Sequence, residues 1–316
     1  QYSAAAVQQV MENPEMPANV HGVPQFLAPS QYEEDCLYLN IWTPARSAED
    51  KLPVFLWIHG GGMVAGSGCE VVCDGTGLAG RKDMVVVTIN YRLGFFGFFA
   101  HPELTAEAGG TSGNYALFDM RMACQWVKEN IAQFGGDPQR ITVAGQSGGA
   151  AGTGALHASP LMKGLVQRVS IESGPIYWGF MQPQDRELME RRGVEFMEHI
   201  GCGSIRELRQ RDAWELFDAY TAFVGDRGLE AGFGFCVDGL FLPKRYSQIM
   251  DAGEFNDFDV LIGSCAQEFP CVDPARFTVE EYMAYLEEAF PDNYENMKKW
   301  YPAENGVQAA KQASTI

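Results

Sequence analysis

Two unbroken apolar runs, each followed by glycine-rich chain, constrain the fold more than any other feature of this sequence. The runs at 54–58 and 84–89 are rich in β-branched residues and shorter than typical helices. Strands with one face in water alternate between apolar and polar residues, so these continuous runs indicate strands covered on both faces. They are also far shorter than the roughly 20 residues that cross a bilayer. The sequence therefore predicts buried sheet strands and no membrane span.

Further strands and helices are predicted in alternating order around these runs. Apolar patterning predicts strands at 37–42, 141–144, 169–171 and 260–263, and helices at 114–134, 145–157, 186–200 and 206–220. Strands that alternate with helices are typical of an α/β fold with a largely parallel sheet, whose sites form at the carboxyl ends of strands. Because no internal repeat or linker interrupts the pattern, we expect a single domain over residues 1–316.

The charge of the chain excludes one class of partner. Lys and Arg number 23 against 41 Asp and Glu, which gives a formal net charge of −18. This acidic balance repels phosphate backbones, so nucleic acid is not an expected partner. We interpret the charge mainly as favouring solubility, and secondly as a field that disfavours polyanionic substrates.

The eight cysteines form neither a disulfide framework nor a metal pattern. Cys69 and Cys73 are close in sequence, as are Cys265 and Cys271, but no second Cys or His pair at zinc-site spacing accompanies them. We interpret them as free, partly buried thiols, and no metal site is predicted.

The segment 145–149 reads Gly-Gln-Ser-Gly-Gly and fits the G-x-S-x-G pattern of a nucleophile elbow. Its glycines leave room for a sharp turn that exposes the hydroxyl of Ser147 above the sheet. The helix that follows directs free N–H groups at the oxygen that becomes negative after attack. The pattern recurs by chance in glycine turns, but its place between a strand and a helix favours a catalytic serine.

A second motif, His-Gly-Gly-Gly at 59–62, follows the run at 54–58 directly. Hydrolases with a nucleophile elbow place further oxyanion donors at this point, where successive glycines let backbone N–H groups approach the substrate. The alternative is a plain glycine turn with a space-filling histidine. Because both motifs occur in the right order on two strands, the catalytic interpretation is favoured.

A longer series of motifs resembles the type-B carboxylesterases, the cholinesterase and para-nitrobenzyl-esterase family of the α/β-hydrolase superfamily. The similarity extends over about residues 1–302, and its motifs are Glu-Asp-Cys-Leu-Tyr-Leu-Asn-Ile-Trp at 34–42, His-Gly-Gly-Gly at 59–62, Asn-Tyr-Arg-Leu-Gly at 90–94, Gly-Asn at 113–114, Phe-Gly-Gly-Asp-Pro at 134–138 and the elbow. The resemblance implies an α/β-hydrolase fold with a mostly parallel central sheet flanked by helices, incomplete at both ends. It also implies a serine hydrolase that cleaves carboxylic esters through an acyl-enzyme intermediate.

The same resemblance assigns roles to individual residues. It makes Ser147 the nucleophile and the backbone N–H groups of Gly61, Gly62 and Gly148 the oxyanion hole. The family's triad acid is a glutamate a few residues beyond a strand like that at 260–263. This position corresponds to Glu268, whose alternative interpretation is a surface carboxylate in a loop.

Comparison with the family also suggests a substrate pocket and reveals two departures from the family pattern. It implies that Trp178 lines the acyl pocket, and Met63 together with nearby phenylalanines suggests an aromatic gorge, although aromatics at this density are also typical of plain core. Gln146 stands where the family commonly has glutamate, which removes a negative charge beside the site. Phe269 replaces the usual glycine after Glu268, so the loop that holds the acid has a different geometry.

Cys36 departs from the secreted relatives. In many of them this cysteine pairs with an upstream cysteine, but residues 2–7 contain none here. That disulfide cannot form, which slightly favours a cytoplasmic location, while the start of the chain at Gln1 leaves export undecided.

No histidine of this chain fits the position of a catalytic base. A serine nucleophile needs a base within hydrogen-bond reach, and the hydrolase order is Ser, acid, His. The five histidines, at 21, 59, 101, 157 and 199, all precede Glu268. His157 lies about 15 Å along the same helix from Ser147, at about 1.5 Å per residue. We therefore expect an internal fragment that is nearly inactive alone, with the base further along the parent protein.

The sequence leaves two alternatives open. The same machinery cleaves thioesters, lactones or activated amides, because only the leaving group differs. Catalytically silent cholinesterase-like adhesion or binding modules keep the fold, although the intact Ser147 argues against this interpretation. No metal or organic cofactor is implied, since triad and oxyanion hole supply the chemistry. The expected partner is a small-molecule ester, and no oligomeric state is predicted.

Overall fold

The two apolar runs form adjacent strands of one sheet in the computed structural model of the chain. The structure describes residues 3–8, 31–174, 182–228, 231–265 and 277–313. The strands within them are β1 Leu39–Trp42, β2 Leu52–Ile58, β3 Val85–Ile89, β4 Gly136–Gln146, β5 Arg168–Glu172, β6 Gln184–Asp185, β7 Cys236–Val237 and β8 Asp259–Gly263. The main sheet has the order β1-β3-β2-β4-β5-β8, and β6 pairs with β7 separately.

Strand register brings four carboxyl ends together. The pairs β3–β2, β2–β4 and β4–β5 are parallel, whereas β1 is antiparallel to β3. Ile58 of β2 pairs with Ile89 of β3 and with Gly145 of β4, and Gly145 pairs with Ile171 of β5. The chain segments that leave these strands therefore meet at one edge. The prediction of a mostly parallel α/β sheet is confirmed.

Helices occupy most of the segments between the strands. They are α1 Thr76–Lys82, α2 Gly94–Phe98, α3 Pro102–Glu107, α4 Tyr115–Asn130, α5 Gly148–Ala158, α6 Arg186–His199, α7 Ile205–Leu208, α8 Ala213–Arg227, α9 Tyr246–Asp251, α10 Val279–Ala289, α11 Tyr294–Trp300 and α12 Gly306–Ala313. No helix among the described residues is long and apolar enough to cross a membrane.

The prediction of one helix over 206–220 is wrong. The structure has two helices there, α7 and α8, and the second helix begins directly after its N-cap residue, Asp212. The Asp212 carboxylate accepts hydrogen bonds from the N–H groups of Trp214 and Glu215 at 2.9 and 3.2 Å. Aspartate satisfies the free N–H groups of a first turn in this way, so it begins a new helix instead of continuing the old one.

The core lies between the sheet and the two helices α4 and α5. The predicted apolar face of α4 is fully buried at Leu117, Met120, Cys124 and Val127. Every residue of α5 is buried, and its sequence consists mainly of glycine and alanine. Small residues let the backbone of this helix approach the sheet closely, which brings its first turn to the carboxyl edge.

The chain divides into two compact units, Gln1–Ile262 and Gly263–Ile316. The first contains the core around the main sheet. In the second, the described helices α10, α11 and α12 enclose a small core of their own, with Tyr282 and Leu286 fully buried. A single domain over residues 1–316 stays a prediction.

A partly buried ion pair joins the segment after β3 to α4. The Asp119 carboxylate accepts hydrogen bonds from the backbone N–H, Nε and Nη2 of Arg92 at 3.0, 2.8 and 2.6 Å. The Asp119 side chain is only 5% exposed, and that of Arg92 is 36% exposed. Because Arg92 follows β3 closely, this pair fixes one part of the carboxyl edge to the core helix.

We expect Asp119→Asn to lower the free energy of unfolding by about 2 kcal/mol, because it leaves a partly buried guanidinium without its counter-charge. Glu107→Gln is the matched control, since Glu107 also binds an arginine, Arg209, with two hydrogen bonds, but both side chains are more than half exposed. Its loss should cost under about 1 kcal/mol. Urea unfolding followed by circular dichroism compares the variants, and equal losses would contradict the effect of burial.

Candidate active site

Four neighbouring strands lead into segments that carry residues able to take part in chemistry. The strand β2 leads into His59 and three glycines, β3 leads into Tyr91 and Arg92, β4 leads into Ser147, and β5 leads into Ser173. In a parallel sheet the carboxyl ends of strands form one edge, where ligands bind. The predicted nucleophile and the predicted oxyanion glycines therefore lie at the same edge.

Ser147 occupies a strained turn between β4 and α5. Its backbone has φ 57° and ψ −124°, a combination that costs a residue with a side chain roughly 1–3 kcal/mol and is concentrated at functional sites. Its N–H donates to the Glu172 carbonyl of β5 at 2.9 Å, and its carbonyl accepts from the Ala151 N–H at 3.0 Å. These two hydrogen bonds hold the turn between the neighbouring strand and the helix.

The turn depends on two close backbone contacts. A Cβ on Gly149 would overlap the carbonyl oxygens of Ile58 and His59, and a Cβ on Gly145 would overlap the backbone of Gly149. Only glycine lets the first turn of α5 lie directly against the ends of β2 and β4. The outer glycines of the G-x-S-x-G motif are thus required by packing.

The loop after β2 brings backbone N–H groups next to this turn. Gly61, Gly62 and Met63 have positive φ values of 99°, 62° and 64°. The place of a Cβ on Gly148 lies 3.0 Å from the Gly62 nitrogen and 2.9 Å from the Met63 nitrogen. Within the described part of the chain, no hydrogen bond uses the N–H of Gly61, Gly62 or Gly148. This arrangement can receive a negatively charged oxygen.

The other predicted site residues differ in what the structure shows of them. The Met63 side chain is buried in the hydrophobic core, with its terminal carbon close to Gly152 of α5. This position gives its predicted pocket role no support, although the Met63 nitrogen lies beside Gly148. Trp178 and Glu268 lie outside the described residues, and their roles stay predictions.

Two of the described histidines, His101 and His157, make contacts of a structural kind. His101 accepts a hydrogen bond from the first turn of α3 at 3.2 Å. Nε2 of His157 lies 3.0 Å from the carbonyl oxygen of Asn256, and burial lowers the pKa of this imidazole. Among the hydrogen bonds of the described residues, none joins a histidine ring to Ser147. His21 lies outside the described residues.

Sequence reasoning did not assign a role to Tyr91. Its ring stacks on His59 with centroids 4.3 Å apart and planes 16° apart. Its hydroxyl donates to the carbonyl oxygen of His59 at 2.8 Å, and both side chains are almost completely buried. The available signal was the position of Tyr91, two residues beyond Ile89 at the end of the neighbouring strand β3.

A mostly parallel sheet with a serine on the turn into a buried helix is consistent with the α/β-hydrolase fold. The chain matches the model of the carboxylesterase family over residues 1–313 and belongs to that family. The predicted resemblance to type-B carboxylesterases is therefore confirmed.

Individual relatives agree with this membership. Fumonisin B1 esterase of Sphingopyxis macrogoltabida is 39% identical over 282 residues, which cover 85% of this chain and 49% of that protein. Liver carboxylesterase 1 of Oryctolagus cuniculus is 35% identical and covers 78% and 44%. A medium-chain fatty acyl-CoA hydrolase precursor of Anas platyrhynchos is 36% identical and covers 81% and 44%. The chain thus spans about half the length of these relatives.

We expect Gly149→Ala to lower the free energy of unfolding by about 3 kcal/mol, because its Cβ would push α5 away from Ile58. Gly80→Ala is the matched control, since Gly80 is also helical and nothing lies within 4 Å of its Cβ position. Alanine there should stabilise α1 by up to about 1 kcal/mol. Denaturant unfolding measures both changes, and a Gly149 variant of wild-type stability would contradict the close backbone contact.

Proposed function

We propose that this chain supplies the nucleophile and the oxyanion donors of a serine carboxylesterase that hydrolyses small-molecule carboxylic esters. The observation that carries this proposal is the strained turn at Ser147, together with the close approach of the next residue, Gly148, to the glycine loop: the place of a Cβ on Gly148 lies 3.0 Å from the backbone nitrogen of Gly62. A serine with a purely structural role would not require a strained backbone. A glycine loop that only reversed the chain would not require its N–H groups to lie beside that serine. Membership of the carboxylesterase family supports ester hydrolysis.

In the proposed reaction, Ser147 Oγ attacks the acyl carbon of the ester while a histidine base removes the hydroxyl proton. The carbonyl oxygen becomes an oxyanion that accepts hydrogen bonds from the N–H groups of Gly61, Gly62 and Gly148. Donors already in place stabilise this charge without reorganising. The tetrahedral intermediate expels the alcohol, which takes the proton from the histidine, and water then hydrolyses the acyl-serine to the carboxylic acid.

The proposed acid and base complete the triad. Glu268 accepts a hydrogen bond from the histidine and holds its ring toward Ser147. No histidine follows Glu268 in this sequence. Since the family order is Ser, acid, His and the relatives are about twice as long, we assign the base to the C-terminal part of the complete protein.

Charge supports an ester of low negative charge as the substrate. The names of the relatives include two esterases and a fatty acyl-CoA hydrolase. The net charge of −18 in this chain disfavours polyanionic acyl donors such as acyl-CoA. The neutral Gln146, which is exposed next to Ser147, adds no charge that would select a cation. We therefore propose neutral or weakly charged oxygen esters.

In the complete protein, Ser147→Ala is expected to abolish covalent labelling by a fluorophosphonate, because such probes react with an activated serine. Turnover of an aryl ester should fall by more than about 10³-fold. Ser204→Ala is the control, since it only removes the N-cap of α7 and should label normally. Undiminished labelling of the Ser147 variant would contradict the nucleophile, and an unlabelled wild type would favour a silent binding module.

The Glu268→Gln variant is expected to keep the fold but to lower kcat by about 10³- to 10⁴-fold, because the histidine loses the anion that orients it. Glu287→Gln changes an exposed carboxylate of α10 and should leave kcat unchanged. Steady-state ester hydrolysis by the complete protein measures both. Wild-type turnover after Glu268→Gln would move the role of the acid to another carboxylate.

A further inference from the structure

The side chain of His59 turns back toward the glycine segment that it precedes. Its Nδ1 lies 2.8 Å from the carbonyl oxygen of Gly60. Burial lowers the pKa of the imidazole to about 4, so the ring is neutral near pH 7. At this distance Nδ1 has to carry the single ring proton, because its lone pair would be repelled by the carbonyl oxygen. His59 therefore donates a hydrogen bond to the Gly60 carbonyl.

This hydrogen bond determines where the next N–H points. The Gly60 carbonyl and the Gly61 N–H belong to one planar peptide group. In a trans peptide the C=O and N–H bonds point in opposite directions. When His59 holds the carbonyl on its own side, the Gly61 N–H has to point away from the imidazole ring.

Tyr91 fixes the peptide group that comes before. Its hydroxyl donates to the His59 carbonyl oxygen at 2.8 Å, while its ring stacks on the imidazole. The His59–Gly60 and Gly60–Gly61 peptides are therefore both held through their carbonyl oxygens by this stacked pair. Neither of these two peptide planes can rotate without breaking a buried hydrogen bond.

Gly66 lies directly against the His59–Gly60 hydrogen bond. A Cβ on Gly66 would overlap both Nδ1 of His59 and the carbonyl oxygen of Gly60. Gln8 binds both polar groups of Gly66, accepting from its N–H at 2.6 Å and donating to its carbonyl at 2.9 Å. The imidazole is thus enclosed by Tyr91 on one side and by a clamped backbone on another.

We propose that His59 is a positioning residue that aims the Gly61 N–H into the oxyanion site, and that Tyr91 holds His59 in this position. The inference rests on the proposed function, because the direction of this N–H affects the rate only if it binds an oxyanion. The oxyanion exists in the transition state and not in the bound ester. A Gly61 N–H that no longer points into the oxyanion site should therefore lower kcat and leave KM nearly unchanged.

The test compares two buried histidines in the complete protein. His157 matches His59 closely: it is also buried, one ring nitrogen lies next to a backbone carbonyl, and the other has no partner among the described residues. We expect His59→Ala to lower kcat by about 10- to 100-fold, which is less than the loss of a whole donor. His157→Ala should lower the melting temperature but leave kcat unchanged.

Two substitutions of similar size separate the hydrogen bond from packing. Asparagine carries its amide nitrogen near the place of Nδ1, whereas glutamine carries it further out, near Nε2. We expect His59→Asn to recover most of kcat and His59→Gln to resemble His59→Ala. Tyr91→Phe keeps the stacked ring but loses the hydroxyl and should lower kcat by a smaller factor. If His59→Ala does not fold, the comparison of His59→Asn with His59→Gln still tests the role of the hydrogen bond.

The fluorophosphonate labelling rate provides a second readout, and it should fall in parallel with kcat in the His59 variants. Wild-type kcat in folded His59→Ala and His59→Gln would overturn the inference, as would an equal loss in His157→Ala. If labelling survived Ser147→Ala, the proposed function would fail first. Normal loss of labelling in Ser147→Ala, together with unchanged kcat in the His59 variants, would overturn the inference alone.

Discussion

The backbone of α5 lies in direct contact with the ends of β2 and β4, and the arrangement of the candidate site depends on this contact. Gly149 approaches the Ile58 carbonyl so closely that a single methyl group would not fit. Because backbone meets backbone, no change of side-chain rotamer could shift the first turn of the helix. This contact places Ser147 above the sheet edge and brings Gly148 next to Gly62.

The strain at Ser147 persists because several independent contacts hold the turn. The residue donates to the Glu172 carbonyl and accepts from Ala151, so both of its backbone groups are paired despite the unusual φ. The helix that follows is buried over its whole length and cannot tilt away. A conformation that costs roughly 1–3 kcal/mol is retained where the surroundings determine it in this way.

Much of the fold and the central pair of motifs could be predicted from local patterns. Continuous apolar runs predicted β2 and β3, and helical periodicity predicted α4, because these patterns reflect burial of neighbouring residues. Two local features differed from the prediction. The Asp212 carboxylate starts α8 where periodicity continued one helix, and β4 begins at Gly136, before the β-branched run at 141–144.

The sequence by itself determined which chemical groups are present and in what order they follow the strands, since a G-x-S-x-G segment between a strand and a small-residue helix has few other uses. Only the tertiary structure decided how those groups face one another. The Tyr91 hydroxyl reaches the His59 carbonyl, and the Met63 side chain packs into the core while its nitrogen remains at the site. Both outcomes depend on strand register and on the path of a loop with positive φ, and such contacts between distant residues leave no periodic pattern in the sequence.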